Sequence, residues 1–212
     1  MKLINEWYYF KNVINDSDCE RLMELGKNNF INAEVGKDTA LTKEERIKGR
    51  NEIMEKEVDY KRRKSQVVWA NEDWIYNLLN PYMVEANNKS GWNFDIKACE
   101  TPQLTKYKKD DFFSWHIDGH SDSLSVYDLP ENKFLNKNVR KISMTLLLNE
   151  DYEGGNFQFG FFNKGDVSIA NPEFSTKGSL IFFPSFIYHQ VTPITQGTRY
   201  SLVAWFIGPP FK

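Results

Sequence analysis

The chain has 212 residues, 41% hydrophobic and 15% aromatic, which suffices for one sizeable core. A formal net charge of −2 offers no field that would draw nucleic acid. No apolar run approaches the ~18 residues that span a bilayer, the first residues lack a secretory pattern, and two cysteines, Cys19 and Cys99, make no disulfide framework. These features predict a cytoplasmic protein with reduced thiols, a monomer or weak dimer, without nucleic-acid or membrane partners.

Trp7-Tyr8-Tyr9-Phe10 is β-prone and suits an edge strand. Asn15-Asp16-Ser17 opens a helix, with Ser17 and Glu20 spaced as a capping box and Gly26 as the stop. Its apolar stripe is Cys19, Leu22, Met23 and Leu25. Residues 37–64 carry 17 charged side chains among 28, with mixed signs, and read as a solvated segment. The basic cluster Lys61-Arg62-Arg63-Lys64 could touch phosphate, but reads rather as a solvated or salt-bridged face, because acids stand at 52, 55, 57 and 59.

Ser65–Trp69 reads as a strand. Asn71 caps a second helix bearing Trp74, Ile75, Leu78 and Leu79, which either bends at Pro81 or restarts there, and Gly91 closes the helical half. From Trp92 onward the pattern has period two. It predicts strands at 93–99, 102–107, 112–117, 141–148, 155–160, 166–170, 178–183, 187–192 and 198–206. Many short strands separated by turns imply a sandwich, barrel or jelly roll. The stretch from Gly119 to Val139 has no periodicity and reads equally as a lid or a surface loop.

Within Trp115-His116-Ile117-Asp118, strand alternation puts His116 and Asp118 on one face. His189 follows 71 residues after Asp118, and Arg199 and Ser201 share a face ten residues further on. Two His and one carboxylate form the facial triad of non-haem Fe(II) oxygenases. The order His-X-Asp, His, Arg-X-Ser resembles the 2-oxoglutarate/Fe(II)-dependent dioxygenases, and within them the prolyl 4-hydroxylases, over roughly residues 100–208.

That resemblance implies a mainly β fold with supporting helices. It would be a double-stranded β-helix, a cupin-like jelly roll, with N-terminal helices packed on the major sheet. The whole chain, 1–212, would be a single oxygenase domain, with 1–91 as helical support and 92–212 as the β core. It also implies Fe(II) held by His116, Asp118 and His189, and 2-oxoglutarate bound by Arg199, Ser201 and Tyr107, with ascorbate as an accessory. Leu147 stands where oxygen-sensing members use a co-substrate tyrosine, which puts more weight on Arg199 and Ser201. His120 is expected to stay outside the metal shell. The implied reaction is hydroxylation of an unactivated C–H bond, most readily of a prolyl residue in a peptide or protein, with release of succinate and CO2. Trp115, Tyr188 and Trp205 are expected to line the pocket and stack on a proline ring. The alternatives are a hydroxylase of a free amino acid or other small molecule, and a non-catalytic cupin-like binding module. A zinc hydrolase would explain the triad but not Arg199 with Ser201.

Overall fold

Strands that are buried on both faces build the centre of the molecule. A computed structural model of the protein describes residues 3–36, 56–119, 126–163 and 166–211. The chain runs through β1 (Tyr8–Phe10), α1 (Asp16–Leu25), β2 (Ile31–Asn32), β3 (Val35–Gly36), β4 (Lys56–Glu57), β5 (Arg63–Lys64), β6 (Gln66–Trp69) and α2 (Asp73–Lys89). It continues through β7 (Ala98–Cys99), β8 (Gln103–Tyr107), β9 (Phe112–His116), β10 (Val139–Leu147), β11 (Tyr152–Gly154), β12 (Phe157–Asn163) and β13 (Asp166–Ala170). It ends with β14 (Leu180–Pro184), β15 (Tyr188–Val191), β16 (Ile194–Gly197) and β17 (Arg199–Gly208).

The major sheet has the order β1-β14-β10-β17-β8-β6-β2, with β7 added to β17. The minor sheet is β13-β12-β15-β9-β5. Their pairings are antiparallel. Alternation divides the major sheet cleanly. Leu104, Met144, Leu146, Leu180, Phe182, Leu202, Ala204 and Phe206 form one core with Leu22 of α1 and Ile75, Leu79 and Met83 of α2. The intervening residues Tyr107, Leu147, Ile181 and Phe183 form a second core with Phe157, Phe159 and Val191 of the minor sheet. The fold is a jelly roll with two helices on the major sheet, as the resemblance implied.

Several details differ from the sequence expectations. The cap of α1 is Asn15 rather than Ser17: its side chain accepts from the Asp18 backbone N–H and donates to the Asp18 carboxylate, each at 2.8 Å. Glu72, not Asn71, holds the N-cap position of α2, without a side-chain capping bond, while Asn71 accepts from the Tyr76 hydroxyl. α2 runs through Pro81 as a single helix. Pro81 and Asn77 both lie on its exposed side, where water can serve the carbonyl that proline leaves unbonded. The expected strand over 93–99 shrinks to Ala98–Cys99, because the Asn87 side chain clamps both the N–H and the C=O of Phe94 at 2.9 Å.

Among the described residues, the first half also contributes strands to both sheets. It supplies β1, β2 and β6 to the major sheet and β5 to the minor sheet. Most of the charged segment, residues 37–55, and His120 lie outside the described residues. Of the loop from Gly119 to Val139, the part from 126 onward folds on itself through Tyr127–Asn138 and Lys137–Tyr127 backbone bonds.

Candidate active site

His116 ends β9 and His189 lies in β15, directly opposite it in the antiparallel register. Period two then turns both imidazoles into the space between the sheets. Asp118 follows β9, where its backbone N–H and that of Gly119 both donate to the Ser185 carbonyl at 2.9 Å. His116 Nε2 lies 3.6 Å from Asp118 Oδ1, and His189 Nε2 lies 3.6 Å from Asp118 Oδ2. The three ligand atoms fall within 4.8 Å of one another.

The backbone determines which ring nitrogens are free. His116 Nδ1 is 2.7 Å from the Ser114 carbonyl and His189 Nδ1 is 3.0 Å from the Ile187 carbonyl. A carbonyl only accepts, so each Nδ1 carries a proton and each Nε2 presents a lone pair. Burial, the largest cause, pushes His116 down to about 3, so its ring is neutral in ordinary buffer. Burial would raise Asp118, but His189, His116, Arg140 and the Ser143 hydroxyl together bring it down to about 2. Two imidazole lone pairs facing one carboxylate at this range repel each other. A cation between them removes that repulsion, so the donor set fits a divalent metal such as Fe(II).

Ser143 was not foreseen. Its Oγ donates to Asp118 Oδ2 at 2.7 Å and lies 2.9 Å from Ser185 Oγ, which holds the carboxylate toward the imidazoles. Position 143 falls in a predicted strand, but nothing in the local pattern marks its partner. Phe113 stacks on His116 with centroids 3.5 Å apart, and Phe183 and Phe157 pack around His189.

Across the space between the sheets, on the inner face of the major sheet, Arg199 is only 1% exposed. Its Nη1 donates to Ser201 Oγ at 2.9 Å, while Nε and Nη2 are buried without a partner among the described residues. Tyr107 stands opposite Arg199 in the register, with the guanidinium carbon 5.6 Å from its ring centre. Leu147 stands opposite Ser201. The turn at Gly154-Gly155 passes beneath Arg199. Gly155 has φ +60, and a Cβ there would lie 2.3 Å from Ile194 and 3.1 Å from Arg199 Cδ. An orphaned, planar, cationic fork in a closed space fits the carboxylate of an oxoacid.

Trp205 faces the same cavity, opposite Ser143, with Arg140 stacked 4.0 Å above its ring. Arg140 is held by a bidentate pair with Glu100 at 2.7 and 2.6 Å, and the Tyr127 hydroxyl also donates to Glu100. Trp69 packs against Trp205 and lines an adjoining cleft of about 640 Å³ with Tyr76, Glu100 and Phe134.

Trp115 and Tyr188 do not line the site. Each neighbours an inward histidine and therefore points outward. The Trp115 ring lies over Gly160 on the outer face of the minor sheet, and Tyr188 is 42% exposed against Phe162. The basic cluster also departs from expectation. Arg63 is 7% exposed and points into the cavity wall, where it bonds Ser65 and Gln103, and Lys64 pairs with Asp111 at 3.2 Å.

Comparison with known proteins bears on the family and the fold. Among curated sequences, the PKHD-type hydroxylase YbiX of Escherichia coli is 28% identical over 137 residues, 62% of this chain and 55% of the relative. The chain spans about half the length of the curated relatives it matches. Among solved structures, a prolyl-4-hydroxylase of Pseudomonas putida superposes with a TM-score of 0.60 at 17% identity, covering 95% of this chain and 91% of that one. A Trichoplax adhaerens prolyl hydroxylase, solved with a peptide fragment of hypoxia inducible factor, gives 0.63 at 16% identity, covering 95% and 83%. At these identities the structural likeness speaks for the fold. The model of the 2OG-Fe(II) oxygenase superfamily matches residues 102–207, half of the chain and all of the strands that carry the triad and Arg199, and the protein belongs to that superfamily.

Proposed function

We propose that the protein is a 2-oxoglutarate- and O2-dependent Fe(II) dioxygenase that hydroxylates an unactivated C–H bond and releases succinate and CO2. The observation that carries this reading is the pairing of two unsatisfied features on facing sheets: three converging metal donors, and an Arg199 whose Nε and Nη2 have no partner among the described residues. His116, Asp118 and His189 would hold the iron, and bound iron with its oxoacid supplies the oxidising chemistry. The chain's own part is binding and exclusion. Ser143 and the Ser114 and Ile187 carbonyls orient the donors. Arg199 and Ser201 receive the distal carboxylate, with Tyr107 beside them. The phenylalanines around the histidines keep the centre dry.

The substrate we favour is a prolyl residue in a peptide or protein. The names of the solved relatives, which include prolyl hydroxylases and one with a bound peptide, support it. So does the cleft of about 640 Å³ lined by Trp69, which packs against Trp205. The test is incubation with Fe(II), ascorbate and 2-oxoglutarate against a peptide library and a free amino-acid panel, read by succinate formation and mass gain. One added oxygen on proline-containing peptides is the expected result. Oxidation that never falls on proline would refute the substrate, and absence of succinate with every substrate would refute the reaction.

A further inference from the structure

Arg140, at the rim, carries its own counterion, Glu100. Two deeper arginines do not. Arg199 and Arg63 are both buried, and neither has a carboxylate within ion-pair distance among the described residues. Arg199 is accounted for by the oxoacid. Arg63 is not, and it comes from β5, outside the span matched by the family model.

Its surroundings place it beside the metal donors. The Arg63 guanidinium lies 4.6 Å from the centre of the Phe113 ring, whose other neighbour is His116 at 3.5 Å. Nε donates to Ser65 Oγ at 2.8 Å and Nη2 to Gln103 Oε1 at 2.9 Å, and Tyr107 is also within its reach. These neutral acceptors fix the fork without neutralising its charge. Buried charges are ordinarily paired.

The charge balance sharpens the point. Lys64 with Asp111 and Arg140 with Glu100 are neutral pairs. A divalent metal, Asp118, Arg199, Arg63 and a doubly negative oxoacid leave one positive charge in excess. We propose that Arg63 is the receptor for a carboxylate carried by the substrate itself, either the free α-carboxylate of an amino acid or an acidic group of a peptide close to the oxidised carbon. The placement beside the reacting centre rests on the oxygenase reading above.

Acetate and acetamide are the first probes, added to protein loaded with Zn(II) and N-oxalylglycine and followed by the 15N resonance of Arg63 Nε. Acetate should shift it saturably and acetamide should not. Arg63→Gln should weaken acetate binding by roughly tenfold or more, and Arg63→Lys, which keeps charge but loses the fork, should fall between. Equal response to acetate and acetamide, or none to either, overturns the proposal. Failure of N-oxalylglycine to bind would strike the oxygenase reading instead and would leave the acetate result interpretable. Mass gain with Fe(II) and 2-oxoglutarate then separates the sources. Free amino acids are set against C-terminally amidated peptides containing Asp, with Asn counterparts as controls. Oxidation of the Asn peptides as readily as the Asp peptides and free acids would also overturn it.

Discussion

Replacing Arg199 with Met should separate co-substrate binding from folding, because the two effects have opposite signs. In the free protein, Nε and Nη2 of Arg199 are buried without partners among the described residues, and each such donor costs about 1–3 kcal/mol. The free variant should therefore unfold no lower than the wild type. With the oxoacid bound, the same donors make charged hydrogen bonds of about 1.5–3 kcal/mol each. Losing both should weaken binding by about 3–6 kcal/mol, roughly two to four powers of ten. At a ligand level of about a hundred times the wild-type Kd, the wild type gains about 2.7 kcal/mol and the variant less than about 0.5 kcal/mol. Thermal unfolding with Mn(II), with and without N-oxalylglycine, measures both states, and calorimetric titration of Mn(II) checks the metal site. A variant that keeps the N-oxalylglycine shift, or that loses Mn(II) affinity, would refute the assignment of the two ends of the cavity.

Ser143→Ala should lower Mn(II) affinity by roughly ten- to a hundredfold, since the hydroxyl holds Asp118, whereas Asp118→Ala should abolish it; equal titration curves for Ser143→Ala and wild type would reduce Ser143 to packing. Gly155→Ala places a Cβ 2.3 Å from Ile194 at φ +60, so it should cost at least ~1–2 kcal/mol in urea unfolding and should weaken N-oxalylglycine by displacing Arg199. Burial pushes the Cys19 thiol up to about 11 and that of Cys99 up to about 12. Iodoacetamide at pH 8 should label both far more slowly in the native than in the unfolded protein, by roughly a hundredfold for Cys19 from its thiolate fraction; equal rates would contradict the burial.

The triad could be read from the sequence because a two-residue spacing in a strand is a geometric statement. His116 and Asp118 had to share a side, and with only two further histidines in the chain, His120 and His189, few other partners were left. The same parity rule shows why Trp115 and Tyr188 were misplaced: a residue beside an inward histidine faces out. Other features depended on partners remote in sequence. β11 and β16 are three and four residues long, contain glycine, and exist because they pair with each other. Arg63 stood in a run of charges whose composition spoke for solvent. Only the pairing of β5 with β9 turns one member of that run inward while its neighbour Lys64 reaches Asp111.

That pairing also bears on how the protein can be cut. β6 and β2 cover the edge of β8, and β5 covers the edge of β9. A fragment beginning at residue 92 would hold the triad and Arg199 but would expose both strand edges as templates for another chain. Such a fragment should aggregate, and its failure in an assay would say nothing about the chemistry of the residues it retains. The smallest useful piece for biochemistry therefore starts upstream of β1, whose residues close the far edge of the major sheet on β14.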